Sequence, residues 1–283
     1  MTPRRPSTAP ATTRNRTAEP PRATAPSLSF ADILKGEQRD AGSKRKGERT
    51  RDRLLLAAVR ALESRGYLAL RVRDICDGAR VSPAAFYQYF ENCREITIEV
   101  LTRFLHSTFK SARSTGAPRP PFEAIYAGNL AWVTSARANA GLVRCLLQLG
   151  DEVPEFKALH EQLNHEWFLH VAHGLHRRFP NARREEPALL LTVHALGGMM
   201  DEIARKVLVA REEHLQPLVD AIAPTDEALA EFLSVIWFRA LFGSEPTGTR
   251  MRASRDLLRL GRGAPNTRVS RKPARRRSQK LDP

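Results

Sequence analysis

Apolar residues recur at helical spacing along most of the chain. Leu55, Ala58, Val59 and Leu62 line one face of a helix predicted from about Gly47 to Arg65, and Gly66 follows as a stop that tolerates a left-handed cap. Val72, Ile75, Cys76 and Ala79 repeat the i, i+3, i+4, i+7 spacing in a shorter helix. Ser82-Pro83 starts a third, from Pro83 to about Tyr89, because serine caps a backbone N–H and proline at the first position gives up no needed donor. Asn92, with Glu95 three residues on, opens a fourth in a capping-box-like arrangement, its apolar face made by Ile96, Val100, Leu101, Phe104 and Leu105. Leu55, Val59, Leu62, Ile75, Phe86, Phe90 and Ile96 are the predicted core of this head. After Arg113 no strand pattern appears. Helices are predicted near 121–137, 140–149, 154–178, 187–209 and 225–242, broken at residues 118–121, at Gly150, at Pro180-Asn181 and at Pro224. Upstream, Ser29 to Lys35 suits one or two helical turns capped by Ser29, docked on the protein or on a partner.

Two short helices joined by a tight turn, the second ending in aromatics, have the shape of a helix-turn-helix reader of the DNA major groove. Ala84 and Gln88 are four apart and share a face; Pro83 and Tyr87 share the neighbouring one. Gln88 suits an adenine edge and Ala84 a thymine methyl. Tyr87 and Tyr89 suit either O–H donation to phosphate or packing, and Arg71, Arg73, Arg80 and Arg94 suit N–H donation to phosphate. With Ser82 at the helix start, these residues are the candidate DNA-binding set.

Residues 49–96 resemble the DNA-binding domain of TetR-type transcriptional regulators. The resemblance rests on Arg49, Ala57, Ala58, Gly66-Tyr67, Asp74-Ile75, Ala79, Val81-Ser82, Phe86-Tyr87, Phe90, Glu95 and Ile96. It implies that the second helix of the motif enters the major groove and that Tyr87 of the Tyr-x-x-Phe segment contacts the DNA backbone. Three positions depart from the family pattern. Arg80 stands where a turn glycine is usual, Arg71 where threonine or serine is usual, and Cys93 where lysine is common. The first implies mild strain in the turn or an arginine reaching phosphate.

Charge sharpens this picture. The net charge is +15, with 11 Lys/Arg against 5 Asp/Glu in residues 1–50 and 12 against 3 in residues 244–283, so the excess sits in the two ends. Residues 51–113 hold 11 positive and 7 negative charges, and residues 114–243 hold 12 and 16. A basic head on an acidic remainder is expected where only one end meets nucleic acid. The ends are basic, poor in apolar residues and proline-rich, which predicts disorder. The cluster Arg271-Lys272 and Arg275-Arg276-Arg277 suits sequence-independent DNA contact or a solubilising tail. The N-terminal stretch faintly resembles a transit peptide in composition, but a disordered tail is the preferred reading. No run approaches the roughly 18 apolar residues that span a bilayer, so no membrane partner and a cytoplasmic location are expected. Cys76, Cys93 and Cys145 form no Cys-x-x-Cys pair, which fits a reducing compartment. Cys76 reads as a packing residue, and Cys93 as packing or a thiol sensor.

The expected fold is all-α: an N-terminal three-helix helix-turn-helix head followed by a helical ligand-binding and dimerisation domain. The boundaries are 1–46 for a disordered basic tail, 47–113 for the head with its linking helix, 114–243 for the second domain and 244–283 for a second disordered tail. On the predicted helix at 154–178, Leu159, Leu163, Trp167, His170, Val171 and Gly174 share a face, flanked by Glu166 and His173. An apolar wall with one or two polar groups suits a small-molecule pocket, with Trp132 and Phe122 as an opposite wall, though such faces are usually plain core. The candidate pocket residues are Trp132, Leu163, Trp167, His170 and Val171. Glu166, His170 and His173 also have the spacing of metal ligands, but no fourth ligand is evident; no metal, cofactor or catalytic residue is expected. Leu189, Val193, Leu196 and Met200, with Phe232, Ile236 and Trp237 on the last helix, form faces apolar enough for a four-helix homodimer interface. The family resemblance implies the same dimer.

The expectation is therefore a dimeric regulator, not an enzyme, with three partners: a near-palindromic double-stranded DNA operator, a small-molecule effector and a second copy of itself. Repression relieved by the effector is the leading reading. A DNA-organising protein that binds many sites through heads and tails is the alternative, and a solid second domain would favour it.

Overall fold

The computed structural model describes residues 29–40, 45–113, 119–178, 186–251, 254, 255 and 257. Among them there are helices and turns and no strand. Helices are numbered in chain order: α1 Phe30–Asp40, α2 Lys46–Arg65, α3 Val72–Ala79, α4 Pro83–Phe86, α5 Cys93–Arg113, α6 Pro121–Ala138, α7 Ala140–Glu152, α8 Pro154–Arg178, α9 Glu186–Ala204, α10 Gln216–Ile222 and α11 Asp226–Phe242.

The starts of the head helices follow their local chemistry. Glu48 accepts the backbone N–H of Arg45 at 2.9 Å, and Asp74 accepts that of Arg71 at 3.2 Å, so each acidic residue satisfies an orphan donor and sits at the positive helix end. Ser82 accepts the Ala85 N–H at 3.2 Å. Asn92 accepts the Glu95 N–H at 3.0 Å, but Glu95 reaches past it to the Glu91 N–H at 2.6 Å, so the predicted capping box is closed one residue earlier. Leu55, Val59, Leu62, Ile75, Phe86, Phe90 and Ile96 are all buried. A bidentate pair from Arg51 of α2 to Glu99 of α5 closes the head, with the same guanidinium 5.0 Å from the Phe90 ring centre.

Two elements differ from the sequence reading. Residues 30–40 belong to no tail: they form α1, longer than the one or two turns expected and docked on the protein. Phe30 and Leu34 are buried, the Phe30 ring lies edge-on to Phe104 of α5 at 5.6 Å, and the Phe30 N–H donates to Asn139 Oδ1 at 2.7 Å. The apolar pair at i, i+4 drives this, because it has no other surface to cover it. Residues 1–28 of the expected tail lie outside the described residues. At the other end, buried Glu231 accepts the backbone N–H groups of Arg250 and Met251 at 3.0 and 2.8 Å, so the chain folds back onto α11 past residue 244. The Arg271–Arg277 cluster is outside the described residues. The predicted helix at 187–209 divides into α9 and a π-helical turn, Arg205–Ala210, capped by Arg211 at φ +50°.

Two cores result. One joins α1 to α5 with α7 and the first half of α8; the other joins α6, the second half of α8, α9 and α11. Trp167 of α8 packs against both. Gly197 lets α9 approach α8, since a Cβ there would run into the Phe168 ring, whereas Gly198 faces nothing within 4 Å. No helix among the described residues is long and apolar enough to cross a membrane.

Candidate nucleic-acid interface and internal cavity

The turn between α3 and α4 is built on Arg80. Its φ of +55° and ψ of +52° are left-handed, and the Val81 N–H reaches back to Cys76 O at 3.1 Å, a Schellman-type closure. This conformation normally calls for glycine, so the mild strain expected from the sequence is present. Arg71, Arg73, Arg80, Ser82, Pro83, Ala84, Tyr87 and Gln88 are all exposed. Tyr87 is 59% exposed, unusual for an aromatic residue without a surface to meet. Tyr89 is half-buried against the head core and its hydroxyl leans over Gly47, which is packing. Arg94 is exposed but ion-paired with Glu155 of α8, a tie between head and body that the sequence reading lacked. The three cysteine thiols are all pushed up by burial, Cys145 to about 11, which leaves Cys93 poorly suited to a sensor role.

The head is fixed to the body where α2 meets the start of α7. Glu63 accepts the Gly141 N–H at 3.0 Å, Arg144 donates to Glu63 O at 3.4 Å, and the Cys145 thiol faces Leu62 O at 3.8 Å. Burial pushes the Glu63 carboxyl above its ordinary range, against the pull of the α7 amides and Arg144.

Inside the body lies a cavity of about 380 Å³ walled by α5, α6, α8, α9 and α11. That is within the range of small-molecule sites. Trp132, Trp167, His170 and Val171 line it as the helical projection predicted. Leu163 does not: its side chain is buried in the first core, while the next residue, Asn164, lines the cavity. Phe122 pairs with Phe238 instead of forming the opposite wall. Trp167 stacks on Phe109 at 5.2 Å and on His170 at 5.7 Å. A smaller chamber of about 90 Å³ adjoins, with Thr108, Phe109, Trp132, Asn164 and Asp201 common to both walls. Periodicity along α8 could not find Phe109 or Asp201, because they come from α5 and α9; Asn164, on α8 itself, is polar and gave no apolar signal. Asp201 carried one signal, a charge at the end of an otherwise apolar run. Among the described residues no group of three or more His, Cys, Asp or Glu is placed to hold a metal; His173 pairs with Glu186, and Glu166 accepts from Gln162.

The faces expected to dimerise require correction. Leu189, Val193, Leu196, Met200 and Trp237 are buried in the second core of their own chain. Helix α9 is sandwiched between α8 and α11, so its most apolar side is already covered. Phe232 and Ile236 keep part of their surface, and α9 presents instead Leu191, 73% exposed, with Ala195 and Gly198 at i+4 and i+7.

Comparison with known proteins agrees with this architecture. Residues 54–100 match the family described as bacterial regulatory proteins, tetR family. The HTH-type transcriptional regulator EthR of Mycolicibacterium smegmatis is 28% identical over 204 residues, 69% of this chain and 88% of that protein. The HTH-type transcriptional activator FasR of the same organism is 36% identical over 84 residues, 28% of this chain and 38% of that protein. A transcriptional regulator from Rhodococcus sp. Rha1 shares the fold at a TM-score of 0.55 and 16% identity, covering 72% of this chain and all of that one (100%). The fatty acid degradation regulator FadR from Bacillus halodurans does so at 0.52 and 19%, covering 66% and 97%. The matched head, the similarity to EthR along most of both chains and the shared helical fold together make this chain similar to transcriptional regulators of the TetR family.

Proposed function

We propose that this regulator is a dimeric repressor, released from a near-palindromic operator when a small apolar molecule enters the cavity. The observation that carries the reading is α5. Its first half supplies Ile96, Val100 and Leu101 to the head core, and its second half supplies Thr108 and Phe109 to the cavity wall. One continuous helix therefore belongs to both the DNA-reading unit and the candidate effector site. The exposed strip of Leu191, Ala195 and Gly198, flanked by Phe232 and Ile236, is the candidate dimer face. Two-fold symmetry would then set two α4 helices about one DNA turn, roughly 34–36 Å, or a comparable distance apart. The DNA-organising alternative expected a solid body, and the cavity speaks against it.

The test is selection of bound duplexes from a random pool by the full-length protein at near-physiological salt. The expected result is an enriched palindrome whose occupancy silences a promoter in purified transcription. Binding without any enriched sequence, fading smoothly with salt, would refute the operator reading. Activation from the selected site would refute the repressor reading alone.

A further inference from the structure

We propose that the cavity is built for a lipophilic molecule bearing one protonated amine, whose ammonium group pairs with Asp201 while its apolar body lies among the aromatic rings. The inference rests on the effector-cavity reading above and names the chemical class of the effector.

The composition of the walls carries the argument. Among the described residues neither chamber has a lysine or an arginine in its lining, and Asp201 is the one acidic residue in either. An amphiphile with a carboxylate or phosphate head would find no cation and would face a like charge. Asp201 sits at the waist the two chambers share, and Trp132 lines that same waist. A carboxylate and an indole lining one chamber are groups that can hold an ammonium: the anion gives the charge pair and a ring face adds quadrupole attraction. No hydrogen bond or ion pair ties the Asp201 carboxyl to another described residue, in contrast to Glu202 next to it, which pairs with Arg205 and Lys206 on the surface.

The environment of Asp201 fits a group facing the cavity. Asp201 is exposed, yet protein surrounds it closely enough that burial pushes its carboxyl up to about 6, and it lines both chambers. An unpaired carboxylate held there is costly, and a cation entering beside it relieves that cost. The other titratable groups in the walls are His160 and His170. Burial lowers the His160 pKa, and that ring bonds to Asn164 at 3.1 Å; His170 lies on the Trp167 stack. Burial therefore holds His160 without a standing positive charge.

The chain has three tryptophans, and Trp132, Trp167 and Trp237 all line the larger chamber, so intrinsic fluorescence reports on it directly. The experiment titrates the full-length protein with decylamine, 1-decanol and decanoate, three probes that share a ten-carbon chain and differ in their head group. The expected order is amine tightest by at least about tenfold over the alcohol, with decanoate weakest. Amine affinity should rise from pH 5 to pH 7 as the carboxyl ionises. D201N should remove the amine's advantage and flatten that pH response. An amine no tighter than the alcohol in the unmodified protein overturns the proposal without recourse to any variant. So does an amine advantage that survives in folded D201N. A fluorescence unmoved by all three probes overturns the effector-cavity reading itself.

Discussion

Gly141 is where a single methyl group tests the joint between head and body. A Cβ at this position would stand 2.5 Å from the Glu63 Cα and carbonyl oxygen and the same distance from Glu63 Oε2. Backbone cannot step aside as a long side chain can, so α7 must retreat from α2 by the better part of an ångström. That retreat loosens packing around Leu62, Leu142 and Cys145, all fully buried, and overpacking of this kind costs about 1–3 kcal/mol. It also stretches the Gly141 N–H bond to Glu63, and a hydrogen bond to a charged acceptor contributes about 1.5–3 kcal/mol. Together about 3–5 kcal/mol is at stake, which in a body of this size lowers Tm by about 10 °C. The assay is thermal unfolding of Gly141→Ala by far-UV circular dichroism. Gly150→Ala serves as control: it lies in the same helix with nothing within 4 Å, and replacing a helical glycine there should raise stability by about 0.5–1 kcal/mol. If G141A melts within about 2 °C of the unmodified protein, the joint is not tight and the reasoning is wrong.

Three further outcomes are expected. Arg80→Gly relieves a left-handed arginine, worth about 1–2 kcal/mol, against about 0.4–1 kcal/mol of extra unfolded-state entropy, so its Tm should rise by about 1–3 °C while Arg80→Ala, which keeps the strain, should not. If Arg80 also meets a phosphate, both variants lower the salt slope of DNA binding by about 0.9; equal melting of the two would remove the strain argument. Leu191→Glu should yield a folded monomer by analytical ultracentrifugation, and a persistent dimer would move the interface elsewhere. Asp201→Asn should melt above the unmodified protein at pH 7.5. Burial holds the folded carboxyl up at about 6, above its ordinary value of 3.8, so the fold prefers it protonated, and stability present below about 3.8 is lost as pH rises through about 6. The gap should therefore close on acidification, and a gap independent of pH would show that Asp201 is ordinary surface.

The head was legible because its signals are local. Ser82-Pro83 dictates a helix start by its own hydrogen bond and missing donor, and Val72, Ile75, Cys76 and Ala79 define a face within eight residues. Long helices of the body were legible for the same reason, as the agreement over 154–178 attests. What failed was partner choice. Leu189, Val193 and Met200 announce an apolar face but not whether the helix covering it belongs to the same chain. The answer depended on α11 lying along α6 and reaching over α9, held in part by Asn129 donating to Ser234 across 105 residues at 2.9 Å. Leu163 failed by a smaller margin: its neighbour Asn164 lines the cavity, while the Leu163 side chain is buried in the neighbouring core. Helix α1 was half legible. Phe30 and Leu34 marked an amphipathic turn, while its true length and its docking against Phe104 needed the third dimension.

The division into two cores decides what can move when the cavity fills. The cavity is bounded on one side by α5, which belongs to the first core, and on the others by α6, the second half of α8, α9 and α11, which belong to the second. A ligand therefore presses on a seam between two packed units and not on the head alone. The head cannot answer by itself, because Glu63, Leu62 and Gly66 of the head are packed against Gly141, Arg144 and Cys145 of α7, and α1 clasps both through Phe30. Sliding α1 to α5 together with α7 would instead disturb their packing on α6, α8 and the π turn after α9. A ligand needs differential affinity of about 5.5 kcal/mol to carry such an equilibrium from 1:99 to 99:1. A desolvated carboxylate that gains a counterion in one arrangement and not in the other is a direct source for a large part of it.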